Sequence, residues 1–234
     1  MMEIFGQPES YSDILKRVLV INFGVGVICT FFLGFSSPEV KGVLDSISNE
    51  SEIGLVKGMK ALYVLIPLIV AILSRIIKLH DKISDLLRIR LRFDTRHILI
   101  PLAQGVGSDV NSEQIKKSRN DLMYKVFYPY AGFNDTVIDA QLVRTALDNW
   151  GWLWVEVEVC FLCVLTSVIF LAMQKRIQLL ISFGVAFVLI CLSFYQYRVC
   201  IKSAKAEVNA ILDDKGRKKE ILGRFSSLQK KKKD

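Results

Sequence analysis

Arginines recur at positions 88, 90, 92 and 96, in and just after the stretch 87–93. Because Arg88, Arg92 and Arg96 are four residues apart, a helix would place them on one face. Guanidinium groups bind phosphates and carboxylates well. These four arginines, Arg90 included, therefore predict a site for an acidic protein partner or an anionic ligand. A solvated face beside anionic lipid head groups is the slightly favoured alternative, since basic residues are expected next to a span in any case. Residues 87–93 also alternate between apolar and basic side chains, which is a strand pattern. Helix is nevertheless the favoured interpretation.

Three polar side chains fall inside apolar runs, where ionisable and amide groups are functional candidates. Asn22 is expected to form an interhelical hydrogen bond rather than an ion site. Glu156 and Glu158 are about 200° apart on a helix, so they cannot form one tight carboxylate pair. Their position near the end of a span favours solvation, or pairing with an arginine, slightly over ion conduction.

The residue types needed for metal or nucleophilic chemistry are not at suitable spacings. Neither His80 nor His97 lies at metal-ligand spacing from a cysteine or carboxylate. Cys160 and Cys163 have the spacing of half a zinc site, but within an apolar run they are interpreted as packing residues. No phosphate-binding loop, nucleophile elbow or kinase signature is present. We therefore expect no metal, no cofactor and no enzymatic activity.

The elements that must position these residues follow from the segregation of apolar and charged residues. The chain has 234 residues, of which 52% are hydrophobic and 23% charged, and long uncharged runs alternate with charged blocks. This pattern is typical of membrane spans joined by aqueous loops. It predicts an all-α fold: a four-helix polytopic membrane protein with a small, mainly helical cytoplasmic domain between spans two and three. The predicted spans are residues 18–35, 58–77, 153–173 and 179–197.

Four regions result from this assignment. Residues 1–77 form the first transmembrane hairpin, and residues 78–149 form a basic stalk and domain. Residues 150–197 form the second hairpin, and residues 198–234 form a basic helix and tail that ends in a lysine run at 230–233. The period of apolar residues after Arg75 predicts that span two continues unbroken into the stalk.

The first two spans carry residues that affect helix packing. Gly26, Thr30 and Gly34 lie on one face of span one, where small side chains let another helix approach closely. Packing within the chain is favoured over contact between copies, which stays open. Pro67 lies in the middle of span two and is expected to bend it. A static kink is favoured over a gating hinge.

Charge predicts the orientation of the chain in a membrane. Net charge is +8, and the segments before span one, between spans two and three, and after span four are basic. Since cytoplasmic loops carry the excess of lysine and arginine, both termini and the central block are expected to be cytoplasmic. Residues 1–13 lack the basic start of a signal peptide. The expected location is a cell inner membrane, crossed several times.

Within the central block, Asn111 is expected to begin a helix that extends to about residue 128 and is ended by Pro129 and Gly132. Asn134 or Asp135 is expected to cap a second helix over residues 136–149. Aromatic residues between these helices are interpreted as the core of a small domain rather than a ligand cage. They are Tyr124, Phe127, Tyr128, Tyr130 and Phe133.

The layout of four spans around a small basic block, with the segment LRFDTRHILIPLA at residues 91–103, resembles bacterial antiphage-defence membrane proteins. The Kiwa-type membrane subunit is the most similar in architecture. Retron and cyclic-nucleotide immune effectors with membrane spans come next. The resemblance implies an oligomeric inner-membrane protein whose cytoplasmic side holds a partner or receives an infection signal. The implied response is a change in membrane integrity or release of the partner.

The expected partners are therefore the lipid bilayer, further copies of the chain and a cytoplasmic protein, with a nucleic acid or nucleotide less favoured. The leading hypothesis is a non-enzymatic membrane sensor or effector whose arginines contact the partner. One alternative is an ion channel or small-solute transporter that uses Asn22, Glu156 and Glu158. A second alternative is a scaffold subunit that assembles other membrane proteins.

Overall fold

A computed structural model describes Gly6, Pro8 and residues 10–48, 61–132 and 137–230. The regular elements within these residues are all helices, which confirms the all-α expectation. Leu87 and residues 89–93 belong to helices, with a turn at Arg88 between them, so the stretch is not a strand. Parts of three predictions lie outside the described residues: the start of span two at 58–60, the segment 133–136 with its aromatic and capping residues, and the lysines at 231–233.

Twelve α-helices account for most of the described residues. Six lie in the first half of the chain: Tyr11–Ser36 (α1), Pro38–Ser48 (α2), Leu62–Ile76 (α3), Leu79–Leu87 (α4), Ile89–Phe93 (α5) and Ile100–Gly105 (α6). The others follow: Ser112–Lys117 (α7), Arg119–Leu122 (α8), Tyr128–Ala131 (α9), Ala140–Ala172 (α10), Arg176–Leu212 (α11) and Lys215–Lys230 (α12).

Helices α1, α10 and α11 are each long and apolar enough to cross a membrane. Helices α3 and α4 together also meet this criterion, but they bend by 58° at the short break between them. Among the described residues there are thus three candidate spans, or four if the bent pair counts as one. At about 1.5 Å per residue, the 26 residues of α1 exceed the roughly 30 Å of a bilayer core.

The unbroken stalk predicted after span two is wrong. Helix α3 ends at Ile76, and Lys78 adopts a left-handed backbone with φ of 50° before α4 begins. A second break follows α4, where Arg88 has φ of 54°. Residues other than glycine seldom occupy this region, since Cβ approaches the carbonyl oxygen. Both breaks occur at long basic residues, so the sequence carries no glycine or proline to mark them.

The chain forms two compact units, named here by composition. The charged unit comprises the described residues of Met1–Tyr11, Asp81–Trp150 and Gln196–Asp234. The apolar unit comprises the described residues of Ser12–His80 and Gly151–Tyr195. Helices α10 and α11 each contribute residues to both units.

The charged unit has its own hydrophobic core, built from short helices and from the ends of α10 and α11. Its most completely buried side chains are apolar residues of the region 99–126 and of α11 and α12: Leu99, Leu102, Ile115, Leu122, Val126, Ile211, Ile221 and Phe225. Phe93 adds an aromatic group, with its ring 4.7 Å from Trp150 and 5.5 Å from Tyr197. Removing apolar surface of this kind from water is the dominant favourable contribution to folding.

Two stretches of the charged unit have a π-helical backbone, Asp94–Leu99 and Met123–Phe127. Each stretch is bounded by α-helix on both sides and packs against the other. A π-helical turn holds one more residue than an α-helical turn, and such turns are frequent at functional sites. Residues of both stretches line the cavity of the charged unit described below.

The predicted helix at Asn111 begins as expected, because the Asn111 side chain accepts a hydrogen bond from the backbone N–H of Glu113 at 3.1 Å. Of the two residues predicted to end this helical region, Gly132 directly follows its last helix, whereas Pro129 does not stop it. Proline lacks only an N–H, which the first turn of a helix does not need, and Pro129 lies in the first turn of α9. Helix α10 begins at Ala140, where Asp139 accepts a hydrogen bond from the N–H of Gln141 at 2.9 Å.

Candidate functional site

A buried carboxylate in the apolar unit contacts polar side chains from three other helices. Glu158 of α10 is 1% exposed. Its Oε2 accepts hydrogen bonds from the amide of Asn22 in α1 and, at 2.8 Å, from the hydroxyl of Ser74 in α3. Its Oε1 lies 3.4 Å from Nδ1 of His80 in α4. We call Asn22, Ser74, His80 and Glu158 the Glu158 cluster.

The local structure explains why these residues meet. Ser74 and His80 lie on opposite sides of the break between α3 and α4. One oxygen of Glu158 contacts the residue before the break, and the other contacts the residue after it. The carboxylate therefore links the two sides of the break to α1 and α10. A buried carboxylate needs such partners, since an unpaired charge away from water is strongly unfavourable.

The cluster brings an imidazole and a carboxylate together away from solvent, with Nδ1 of His80 3.4 Å from Oε1 of Glu158. Beside them is a void of about 10 Å³, the size of a single water. Asn22 Oδ1 is buried there, with no hydrogen-bond partner among the described residues. Within the described part of the chain, no three metal-binding side chains lie close together.

Glu156 is not a member of the cluster. It is partly buried, and its Oε2 accepts no hydrogen bond within the part of the chain that the structure describes. Two residues along a helix from Glu158, it points away from Asn22 and His80. Glu158 itself pairs with a histidine, a serine and an asparagine, whereas the sequence favoured solvation or an arginine partner.

The predicted arginine site separates into two groups in the charged unit. Arg88, Arg92 and Arg96 are exposed, and none has an ion-pair partner among the described residues. Arg90 is half-buried, and its Nη2 lies 2.8 Å from Oδ1 of Asp81. Three of the four arginines are thus exposed without an ion pair in the described part of the chain, and the fourth forms part of the internal structure. The continuous helix that would align the three is interrupted, because Arg88 lies at a break and Arg96 lies in a π-helical stretch.

A second acidic–basic pair lies deeper in the charged unit. Asp94 is buried and pairs with Arg119, which donates a hydrogen bond to its Oδ2. Burial raises the pKa of Asp94 above its ordinary value, while the Arg119 charge acts in the opposite direction.

The small residues of α1 pack against α3. A side chain at Gly26 would place Cβ 3.0 Å from Cβ of Pro67, and one at Gly34 would place it 2.6 Å from Oη of Tyr63. The hydroxyl of Thr30 bonds back to the Gly26 carbonyl at 2.9 Å. These glycines allow close packing within the chain. Pro67 lies at this contact, inside α3, ten residues before the break at Ile77.

Sequence reasoning missed Ser74 and His80 as partners of Glu158. A serine in an apolar helix is usually satisfied by its own backbone. His80 falls in the helical period of residues 76–87, which indicates packing rather than a polar partner. The available signal was the presence of three polar residues in candidate spans, each of which needs a partner in an apolar environment. Arg17 was also missed. It is buried in the apolar unit, with its guanidinium 4.9 Å from the Trp152 ring centre.

Comparison with known proteins gives one match. The model of the YmfE protein family matches residues 10–222, which include the Glu158 cluster, all four arginines and every candidate span. No curated protein and no solved structure matches the chain.

Proposed function

The chain belongs to the YmfE protein family, and we propose that it is an oligomeric inner-membrane sensor or effector of bacterial antiphage defence. In this proposal the charged unit receives a cytoplasmic partner or signal, and the apolar unit responds within the membrane. The protein is not an enzyme, and four spans cross the bilayer, with α3 and α4 together forming the second. Both termini and the charged unit are cytoplasmic.

The surface of α11 supports the membrane part of this proposal. In its apolar window only 11% of the residues are buried inside the protein. Large apolar side chains such as Phe183, Phe187 and Phe194 are more than half exposed. Exposed apolar surface of this extent is unfavourable in water and favourable against lipid or another copy of the chain.

The exposed arginines support an acidic protein partner. Arg88, Arg92 and Arg96 carry three exposed positive charges without ion pairs among the described residues. Such charges attract an acidic protein surface over about 10 Å at ordinary ionic strength. Antiphage defence is proposed because the layout of the chain and residues 91–103 resemble bacterial antiphage-defence membrane proteins.

The Glu158 cluster is the observation that carries the proposed coupling. Glu158 binds Ser74 before the break between α3 and α4, and His80 after it. The residue that follows His80 begins the next segment of the charged unit. A signal that displaces α4 would therefore remove His80 from Glu158, and the uncompensated carboxylate would favour a second arrangement of the helices.

The proposed partner surface is tested by reversing the charge of these three arginines. Arg88, Arg92 and Arg96 are all changed to Glu, and the control changes the exposed Lys202, Lys205 and Lys219 to Glu. Both variants lose the same net charge. We expect the first to lose protection against phage and recovery of the partner in mild detergent, and the control to keep both. Equal results for the two variants would count against the partner surface.

The coupling is tested with Glu158→Gln, and Glu156→Gln is the control. We expect Glu158→Gln to change dye entry into phage-infected cells while partner recovery stays at the wild-type level. If the wild type conducts ions in reconstituted vesicles and either substitution abolishes this flux, the result would instead support a channel. Wild-type behaviour of both variants in every assay would support the scaffold. A reporter fused after residue 120 that localises opposite one at the terminus would contradict the proposed topology.

A further inference from the structure

The charged unit contains a cavity of about 530 Å³ that the proposed function does not use. Its wall is mostly apolar, with Phe93, Met123, Phe127, Leu147 and Trp150 among the lining residues. Pockets of roughly 300–1,000 Å³ with apolar walls and a few polar groups are typical of small-molecule sites. The volume therefore suits a compact organic molecule.

Three carboxylates face this cavity, and two of them already have cationic partners. Asp81 pairs with Arg90, and Asp94 pairs with Arg119. The third, Glu207 of α11, is 6% exposed and lines the cavity. It has no hydrogen-bond or ion-pair partner among the described residues. An ionised carboxyl group so placed lacks a compensating charge.

We propose that the cavity binds an apolar monoamine, whose ammonium group pairs with Glu207 and whose hydrocarbon part lies against Phe93, Phe127 and Trp150. A cation would supply the charge that Glu207 lacks, in an environment where such a hydrogen bond is strong. The aromatic rings add favourable contacts for the hydrocarbon part. The site goes beyond the proposed function and stands independently of it.

The protonation of Glu207 predicts that amine binding depends on pH. Burial raises the pKa of Glu207 to about 8, and the residue lies ten positions beyond the predicted fourth span. Below that pH, an amine binds only if Glu207 first releases its proton, so affinity should increase with pH until Glu207 is ionised in the free protein. The other titratable or charged groups that face the cavity are Tyr11, Asp81, Arg90, Asp94, Tyr128 and Cys200.

The experiment uses the full chain in phosphatidylcholine nanodiscs, with 4-phenylbutylamine and its neutral analogue 4-phenylbutanol as probes. Binding is measured by calorimetry and by tryptophan fluorescence, to which Trp150 in the cavity wall contributes. Empty nanodiscs correct for partitioning into lipid. We expect the amine to bind in a saturable manner and more tightly than the alcohol. Its affinity should rise about tenfold or more between pH 6 and pH 8, whereas that of the alcohol should stay constant.

Substitutions test the contribution of the Glu207 charge separately from that of the cavity volume. Glu207→Gln should reduce amine affinity about tenfold or more, leave the alcohol unaffected and remove the pH dependence. Asp213→Asn, an exposed carboxylate of the same unit, is the control and should change nothing. Ala146→Trp fills part of the cavity and should weaken both probes.

Thermal unfolding confirms that each variant is folded. Equal affinity of amine and alcohol would overturn the amine proposal, as would amine binding that Glu207→Gln leaves unchanged. Absence of saturable binding at millimolar probe would overturn the site altogether. None of these results depends on phage protection or on partner recovery.

Discussion

His80 Nδ1 lies 3.4 Å from Glu158 Oε1, and both side chains are almost completely buried in the apolar unit. The same carboxylate also accepts hydrogen bonds from Asn22 and Ser74. Since each partner lies on a different helix, removing one side chain affects the packing of several segments at once. We therefore expect the unit to be sensitive to substitution of Glu158.

Changing His80 and Glu158 separately and together should reveal their coupling. We expect Glu158→Gln and His80→Gln each to destabilise the protein, with a coupling free energy of about 1 kcal/mol or more in a double-mutant cycle. The free energy of unfolding is measured in mixed micelles by tryptophan fluorescence. The control cycle pairs His80→Gln with Glu156→Gln, which should be additive within about 0.5 kcal/mol. Additivity in both cycles would contradict the contact.

Two glycines of α1 should respond to alanine in opposite directions. Gly34→Ala places Cβ 2.6 Å from Tyr63 Oη and 2.9 Å from a ring carbon, so the ring must move, at about 1–3 kcal/mol. Gly24 has no atom within 4 Å of the added Cβ, so Gly24→Ala should stabilise the helix by up to about 1 kcal/mol. Thermal unfolding in detergent measures both, and a stabilising Gly34→Ala would contradict the close packing of α1 on α3.

The stability of the charged unit should fall as pH rises from about 5 to 8, and Glu207 is one cause. Its pKa is about 8 in the folded protein and 4.5 in an unfolded chain. Between these values the unfolded chain releases a proton that the folded protein keeps, so the free energy of unfolding decreases with pH. The decrease is on the order of a few kcal/mol and is complete above pH 8.

Glu207→Gln removes this contribution. The variant should show a flatter stability profile between pH 5 and pH 8 and should be more stable than the wild type at pH 8. Denaturant unfolding, monitored by fluorescence at several pH values, measures the profile. Asp213→Asn provides the reference for an exposed carboxylate. Parallel wild-type and Glu207→Gln profiles would show that burial does not perturb this group.

Helix α12 is attached to the rest of the charged unit through Tyr130, whose hydroxyl donates a hydrogen bond to Glu220 Oε2 at 2.7 Å. The Tyr130 and Arg224 hydrogen bonds lower the pKa of Glu220, so its contribution to stability is lost at acidic pH, as Glu220 becomes protonated. Tyr130→Phe should weaken the attachment by about 1 kcal/mol and speed hydrogen exchange in Lys215–Lys230. The control is Tyr124→Phe, at a 75% exposed tyrosine. Equal exchange in both variants would contradict the contact.

The sequence predicts the helices well because their signals are local. Apolar runs locate α1, α10 and α11, and Asn111 marks the start of α7 by its capping side chain. The breaks at Lys78 and Arg88 could not be predicted, since lysine and arginine favour a continuing helix. There the surrounding structure overrides local preference.

The candidate site is predictable only in part, for the same reason. Glu158 and Asn22 are unusual in apolar runs, so the sequence identifies them as sites without identifying their partners. Ser74 becomes significant only once folding places it beside Glu158. Glu207 lies among lysines and alanines and resembles an ordinary surface carboxylate. Its burial depends on residues distant in sequence that form the cavity wall.

The π-helical stretches at Asp94–Leu99 and Met123–Phe127 affect how the chain can vary in length. Each stretch contains one residue more than the same length of α-helix would. Deleting one residue there returns the stretch to α-helix, and the helices on either side keep the same faces toward the core. The same deletion inside α11 would rotate all later residues by about 100° and misalign the wall that contains Glu207. Single-residue indels among family members should therefore concentrate in these two stretches.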